Sequence, residues 1–228
     1  MLYSPDRGFV FIAVPKTGTT AIQNCLRRID PAIMVNGIPD GRGGTLRLRN
    51  HATVAEIRYR LGDRAEGLRF IAFLRDPRAV VRSKYHFYRT GRAAKDVAKD
   101  YSENAAALVI KRSKFGKLLR VAVARLLPLP VWARLYPFKS SAHFIEAPAG
   151  RIAVDRLGRF EHLAEDFRTI FAEFGYDPAD LTLSVVNETD YATDPAEDAL
   201  LERIALRRLP RDMEIFALMA QGPGSVHA

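Results

Sequence analysis

Short apolar runs followed by tight loops and amphipathic helices recur in the front part of the chain. Residues 8–14 are an apolar run, rich in aromatic and β-branched side chains and bounded by Arg7 and Pro15, which predicts a fully buried strand. A turn over residues 15–18 follows, and residues 19–28 place apolar side chains at helical spacing. The pattern predicts a strand, a tight loop and a helix, in that order.

A glycine-rich stretch separates this unit from the next elements. The glycines within residues 36–50 predict a loop. Thr53 and Glu56 then have the spacing of a capping box, and apolar residues at helical spacing follow them. Gly62 is placed to end that helix.

A second strand and helix are predicted further along. Residues 68–74 are another buried apolar run, and Pro77 is suited to the first turn of a helix that runs to about Arg89. Repeated strand–loop–helix units are typical of an α/β fold with a central, mainly parallel sheet flanked by helices. Ligands bind such sheets at the carboxyl ends of the strands, where both loops fall.

The remaining chain is predicted to be mainly helical and to belong to one domain, residues 1–228. We predict helices over 94–127, 160–174 and 195–219, with a break at Pro210, and short strands over 143–146 and 151–155.

Composition narrows the class of protein without naming its function. The 228 residues carry 48% hydrophobic and 27% charged side chains, values of a globular protein with a substantial core. The single cysteine, Cys25, excludes a disulfide framework and a cysteine-based zinc site. No apolar run approaches the ~18 residues of a membrane span, and the N-terminus lacks a signal-peptide pattern. We therefore expect a soluble, cytoplasmic protein.

The net charge of +9 is unevenly distributed. Residues 1–139 carry 27 basic and 10 acidic side chains, whereas residues 140–228 carry 8 and 16. Such a basic front portion indicates an anionic partner: a nucleic acid, an acidic membrane surface, or a phosphorylated or sulfated small molecule.

The first loop has the chemistry of an anion cradle. It joins a buried strand to a helix N-terminus, where free backbone N–H groups and the helix dipole favour negative charge. Its residues add hydroxyl groups, a mobile cation and a glycine that permits close approach: Pro15, Lys16, Thr17, Gly18, Thr19 and Thr20. It is not a Walker A loop, because Lys16 precedes the glycine. An ordinary strand-to-helix turn remains the alternative.

The second loop adds arginine. Arg75 ends the strand over 68–74, and Ser83 falls about two helical turns later. The planar guanidinium of arginine can bond two phosphate oxygens at once. Arg82 could add charge or face solvent, and a solvated basic helix remains the alternative interpretation.

Together the two segments carry a family resemblance. The chain resembles the sulfotransferases that use 3′-phosphoadenosine-5′-phosphosulfate (PAPS). The resemblance lies in two successive units: a strand, PKTGTT and a helix, and then a strand, RDPRAVVRS and a helix. The stretches 51–58 and 158–167 resemble its carbohydrate-type branch. The likeness covers about 8–90 and 150–175 and implies a P-loop-like three-layer fold. Animal Golgi members carry an N-terminal membrane anchor; this chain begins almost at its first strand and looks like a soluble, bacterial-type member.

The resemblance implies roles for individual residues. Lys16 would contact the leaving phosphate and the sulfuryl group, while Gly18, Thr19 and Thr20 would hold the 5′-phosphate. Thr17 would belong to the same cofactor-binding loop. Arg75 and Ser83 match the 3′-phosphate site of the family, and no metal is required. PAPS would be the co-substrate and adenosine-3′,5′-bisphosphate the product.

An acceptor hydroxyl also needs a base. His51 is the first choice, because related carbohydrate sulfotransferases often place a base between the two phosphate motifs. Glu56, Glu66 and His143 are the alternatives, although the capping box already explains Glu56.

The segment 91–140 lies where the family varies most, and we expect a helical insertion on the acceptor side. From Lys111 to Lys139 it contains eight basic residues and no acidic one. This pattern fits three interpretations: an acceptor groove for an anionic glycan, peripheral contact with an acidic membrane surface, or a solvated amphipathic helix.

The leading hypothesis is a PAPS-dependent sulfotransferase that acts on a hydroxyl of a carbohydrate, glycolipid or other small acceptor. An atypical P-loop nucleotide or small-molecule kinase is the alternative, and the displaced lysine counts against it. A basic nucleic-acid-binding module is a third hypothesis, but no recognised motif supports it and no nucleic-acid partner is expected.

Overall fold

The computed structural model of the chain describes residues 1–90, 112–184 and 194–221, which group into two compact units. The described residues of the first unit are 1–76, 139–184 and 211–221. Those of the second unit are 77–90, 112–138 and 194–210. The part of the predicted 94–127 helix that precedes residue 112 lies outside the described residues.

The first unit is built on a five-stranded sheet with the order β3-β1-β2-β6-β7. Its strands are β1 (Leu2–Ser4), β2 (Phe9–Ile12), β3 (Met34–Val35), β6 (Arg69–Leu74) and β7 (Arg156–Arg159), and β4 (Gly37–Pro39) and β5 (Thr45–Arg47) form a separate hairpin. The pairs β2–β6 and β6–β7 are parallel, whereas β1 pairs antiparallel with both β2 and β3. The sheet is therefore mixed, and the prediction of a mainly parallel sheet was wrong at the edge formed by β3 and β1.

Both faces of the sheet are buried, because alternate residues of the central strands enter different cores. Phe9 and Phe11 of β2 enter one core, while Val10 and Ile12 enter the other. The same alternation along β6 follows from the period-2 geometry of a strand. Burial on both faces explains why the two strands read as continuous apolar runs.

Helices cover each face. The helices of the first unit are α1 (Thr19–Ile29), α2 (Val54–Leu61), α6 (Ala142–Ile145), α7 (Leu163–Ala172) and α9 (Pro210–Ala220), whose first residue falls in the second unit. Apolar side chains of α1 and α7 pack into the core with Phe9 and Phe11, and those of α2, α6 and α9 pack into the other core. The first unit is thus an α/β arrangement of a mixed sheet flanked by helices.

The prediction of short strands over 143–146 and 151–155 was wrong. Residues 142–145 form the helix α6, and the pairing there is a single antiparallel bridge between Glu146 and Ile152. Apolar runs of four or five residues do not distinguish a strand from a short helix, and here the packing of Ala142 and Ile145 into the core decides the outcome.

The second unit is helical in its described residues. It contains α3 (Pro77–Arg89), α4 (Arg112–Leu126), α5 (Leu129–Leu135) and α8 (Pro195–Arg208). Trp132 of α5 is 1% exposed and packs against Tyr85, and its ring stacks on Tyr136 with 4.5 Å between centroids. The helix predicted over 195–219, with its break at Pro210, is confirmed as α8 and α9.

Candidate functional site

The carboxyl ends of three neighbouring strands meet at one edge of the first unit, because β2, β6 and β7 run parallel. The Nη1 atom of Arg75, the residue after β6, donates to the carbonyl oxygen of Lys16 in the loop after β2, at 3.4 Å. The Arg75 guanidinium carbon lies 4.1 Å from the ring centroid of Phe160, the residue after β7. The fold therefore brings the predicted anion loop and Arg75 together.

The loop after β2 has an unusual backbone. Lys16 and Gly18 both adopt left-handed conformations, with φ of 74° and 72°. Such a conformation costs a residue with a side chain about 1–2 kcal/mol, and backbone strain of this kind is concentrated at functional sites. A Cβ at Gly18 would also lie 2.6 Å from Cδ2 of Leu163. Glycine is thus favoured at position 18 for two reasons: the left-handed backbone, and the lack of room for a Cβ beside Leu163.

The N-terminus of α1 presents backbone N–H groups. Its N-cap is Gly18, so no side chain caps the helix, and the amides of Ala21 and Ile22 both donate to the Gly18 carbonyl. Among the residues that the structure describes, the amides of Thr19 and Thr20 have no acceptor. With the positive end of the helix dipole, these amides favour an anion at this position.

Two of the three threonine hydroxyls are used inside the loop. Thr17 and Thr19 are buried, and both donate to the carbonyl oxygen of Val14, at 2.9 and 2.8 Å. These bonds hold the loop in shape, so the two residues offer a ligand their backbone amides and not the hydroxyl donors expected from the sequence. Thr20 is exposed at the start of α1.

His51 lies beside the same loop. Its Nδ1 is 2.6 Å from the carbonyl oxygen of Ala13, the residue after β2. Because a carbonyl oxygen only accepts hydrogen bonds, Nδ1 carries the proton in this contact, and Nε2 is then the nitrogen that can take up a proton. The structure thus brings together the loop, Arg75 and the predicted base.

The alternative bases are placed less favourably. Glu56 donates its amide to the Thr53 hydroxyl, as the capping box predicts, but its carboxylate forms an ion pair with Arg49 at 2.6 Å. Glu66 precedes β6 and lies at the amino end of the parallel strands, away from the loop. His143 is exposed on α6, with its ring 5.3 Å from that of Phe144.

The other half of the predicted nucleotide site lies on α3. Ser83 is buried there, in the second unit, whereas Arg75 belongs to the first, and their shared phosphate site stays a prediction. Arg82 forms ion pairs with Glu197 and Asp198 of α8. The suggestion that Arg82 adds free charge for a ligand was wrong, because its guanidinium is neutralised within the second unit.

Two residues that position Arg75 were missed by the sequence reasoning. The ring of Phe160 lies against its guanidinium, and Oε1 of Glu161 accepts a hydrogen bond from the amide of Asp76 at 2.9 Å. Both follow β7, whose sequence Arg-Leu-Gly-Arg contains too few apolar residues to predict a strand. The stretch 158–167 was recognised by resemblance, but nothing in its pattern showed that it follows the third parallel strand.

Comparisons of the chain with protein-family models, curated proteins and solved structures find no match in any of the three. Within residues 1–90, 112–184 and 194–221, no cluster of three or more His, Cys, Asp or Glu side chains is arranged to hold a metal ion. No helix in those same ranges combines the length and apolar character needed to cross a bilayer.

Proposed function

We propose that the protein is a PAPS-dependent sulfotransferase of the cytoplasm, with a P-loop-like site, that sulfates a hydroxyl of a carbohydrate, glycolipid or other small acceptor. The observation that carries this proposal is the contact between Arg75 and the Lys16 carbonyl at the shared edge of β2 and β6. It joins two basic segments that are 59 residues apart in the chain and that resemble the two phosphate motifs of one family.

The loop after β2 is suited to the 5′-phosphosulfate. Among the described residues, the amides of Thr19 and Thr20 have no acceptor, and they lie at the positive end of the α1 dipole. Both features favour a bound anion. Lys16 supplies the positive charge that offsets the charge growing on the bridging oxygen as the oxygen–sulfur bond breaks. Sulfuryl transfer resembles phosphoryl transfer in this respect, so positioning and charge stabilisation supply most of the catalysis.

Arg75 is suited to the 3′-phosphate. The Phe160 ring lies 4.1 Å from the guanidinium carbon and the Lys16 carbonyl oxygen accepts one of its N–H groups, so the guanidinium is held in place before a ligand arrives. A preoriented fork loses less side-chain entropy when it binds a phosphate. We assign Ser83 to the same phosphate by resemblance.

His51 is suited to the acceptor side of the reaction. The bond from Nδ1 to the Ala13 carbonyl fixes the tautomer in which Nε2 is basic. Nε2 takes the proton from the acceptor hydroxyl while that oxygen bonds to sulfur, and adenosine-3′,5′-bisphosphate leaves.

A transfer assay tests the proposal. Purified protein is incubated with PAPS carrying radioactive sulfur and a panel of carbohydrate and glycolipid acceptors, with Lys16→Ala as the matched control. We expect label to enter an acceptor, with an equal amount of adenosine-3′,5′-bisphosphate formed. If neither transfer nor hydrolysis of PAPS exceeds that of Lys16→Ala, the proposal is wrong.

A further inference from the structure

A pocket of about 400 Å³ opens on the second unit, where α8 meets the last turn of α5. One face of α8 forms most of its wall, at the spacing of successive helical turns. The lining residues are Arg134, Leu200, Arg203, Ile204, Arg207 and Arg208. Four arginines and two aliphatic side chains therefore line it, with no acidic residue among them.

The arginines of this pocket are arranged for an external anion. Arg208 is held in place by the carbonyl oxygens of Arg134 and Tyr136, each at 2.9 Å, and so caps the carboxyl end of α5. Among the described residues, the guanidinium groups of Arg134, Arg203 and Arg207 have no acidic partner. Like charges gathered in a concave site without counter-charge attract an anion strongly.

The acidic residues of α8 do not compensate this charge. Glu197 and Asp198 are engaged by Arg82, and the Asp194 carboxylate caps the N-terminus of α8. Glu202 lies on the same helix but does not line the pocket. From residue 112 to residue 138 the chain contains no acidic residue at all.

The second unit also exposes apolar side chains. Leu135, which follows Arg134 in the chain, is 66% exposed, and Leu206, which precedes Arg207, is 52% exposed. Further exposed apolar residues of the described part of this unit are Leu118, Leu119, Leu126 and Val131. A small soluble anion would account for the arginines but leave these side chains in water. A bilayer with anionic lipids accounts for both, because it presents phosphates directly above apolar chains.

We propose that the second unit docks on an anionic phospholipid bilayer. Its arginine pocket takes lipid phosphate groups, while Leu135 and Leu206 enter the boundary between headgroups and acyl chains. Charge complementarity argues for this occupant over a neutral apolar partner. The inference goes beyond the proposed function and does not depend on it, because it uses residues of the second unit alone.

Co-sedimentation with vesicles tests the docking. We expect the full chain to bind vesicles of phosphatidylcholine and phosphatidylglycerol, to bind pure phosphatidylcholine weakly, and to release with salt. Arg203→Glu with Arg207→Glu should weaken binding at least about tenfold, since each basic residue near such a surface contributes substantially. Leu135→Ser with Leu206→Ser should weaken it several-fold, whereas Tyr59→Ser, in the first unit, should not.

A matched control separates the pocket from overall charge. Arg151→Glu with Arg168→Glu changes two exposed arginines of the first unit by the same charge. Equal weakening by this pair would overturn the proposal, as would no binding to the anionic vesicles. Thermal unfolding, unchanged in all variants, shows that the fold is intact.

Two further results would also overturn it. Glycerol phosphate at micromolar concentration could saturate the pocket and displace the vesicles, which would identify a soluble ligand. Alternatively, lipid-free protein could self-associate with rising concentration and lose this association in the Leu135→Ser, Leu206→Ser variant. That result would identify the apolar face as a contact between copies.

Discussion

The guanidinium of Arg75 donates to the carbonyl oxygen of Lys16 at 3.4 Å, across the carboxyl ends of two adjacent parallel strands. This contact places an arginine fork beside a loop whose backbone is held in a left-handed conformation at Lys16. The Phe160 ring also lies 4.1 Å from the guanidinium carbon of Arg75. The predictions about catalysis below follow from these contacts at the carboxyl ends of β2 and β6.

Lys16 is predicted to be essential for transfer and costly for stability. Lys16→Ala should abolish transfer with little change in stability, because alanine keeps the strained φ of 74°. Lys16→Gly should also abolish transfer yet be more stable than Lys16→Ala by about 1 kcal/mol, since glycine tolerates this conformation. Transfer assays and urea unfolding measure the two effects. Turnover that survives in either variant would remove Lys16 from the reaction.

His51 is predicted to act as the base. His51→Ala should lower kcat by about 10²–10⁴-fold while nucleotide affinity stays near that of the wild type, because Nε2 acts on the acceptor proton only. His143→Ala serves as the control and should retain the rate. A normal rate in His51→Ala, with a loss in His143→Ala or Glu56→Gln, would reassign the base.

Gly18 is predicted to be sensitive for two separate reasons. Gly18→Ala should destabilise the protein by about 2–3 kcal/mol, because φ is 72° and the new Cβ would crowd Leu163 and Phe160. Gly43→Ala, with φ of 85° and nothing within 4 Å, should cost only the backbone share of about 1–2 kcal/mol. Thermal unfolding separates the two variants. Equal costs would show that Gly18 is not packed against these side chains.

Gly158 is predicted to define the pairing of β6 with β7. It lies opposite Phe73, and a Cβ at Gly158 would overlap the buried Phe73 ring. Gly158→Ala should therefore cost about 1–3 kcal/mol as an overpacked core site. Gly116→Ala, in α4 with open space around it, should instead stabilise by about 0.5–1 kcal/mol. A neutral effect at Gly158 would contradict the β6–β7 register.

The parts of the fold that the sequence predicts well are those with strong local signals. β2 and β6 are continuous apolar runs, α1 has a clear apolar stripe, and Thr53 and Gly62 mark the ends of α2 as predicted. Their order along the chain also indicated which loops follow strands. The sequence alone therefore predicts that the loop at Lys16 and Arg75 each follow a buried strand.

The rest depends on contacts between distant segments. β1 has three residues and β7 has four, too few to show a period, and each is a strand only because a neighbour pairs with it. The predicted loop over 36–50 contains the hairpin of β4 and β5 for the same reason. Phe160 lies at the site because β7 pairs with β6, and the sequence does not show that pairing.

Calorimetry with adenosine-3′,5′-bisphosphate, AMP and ADP tests the central claim most directly. The wild-type chain should bind the bisphosphate at least about tenfold more tightly than AMP or ADP, because only the bisphosphate carries the 3′-phosphate that we propose Arg75 binds. Arg75→Ala should remove that preference, and Arg168→Ala, at an exposed site on α7, should keep it. If the wild-type chain binds the bisphosphate no more tightly than AMP, the 3′-phosphate site and the sulfotransferase proposal are both contradicted.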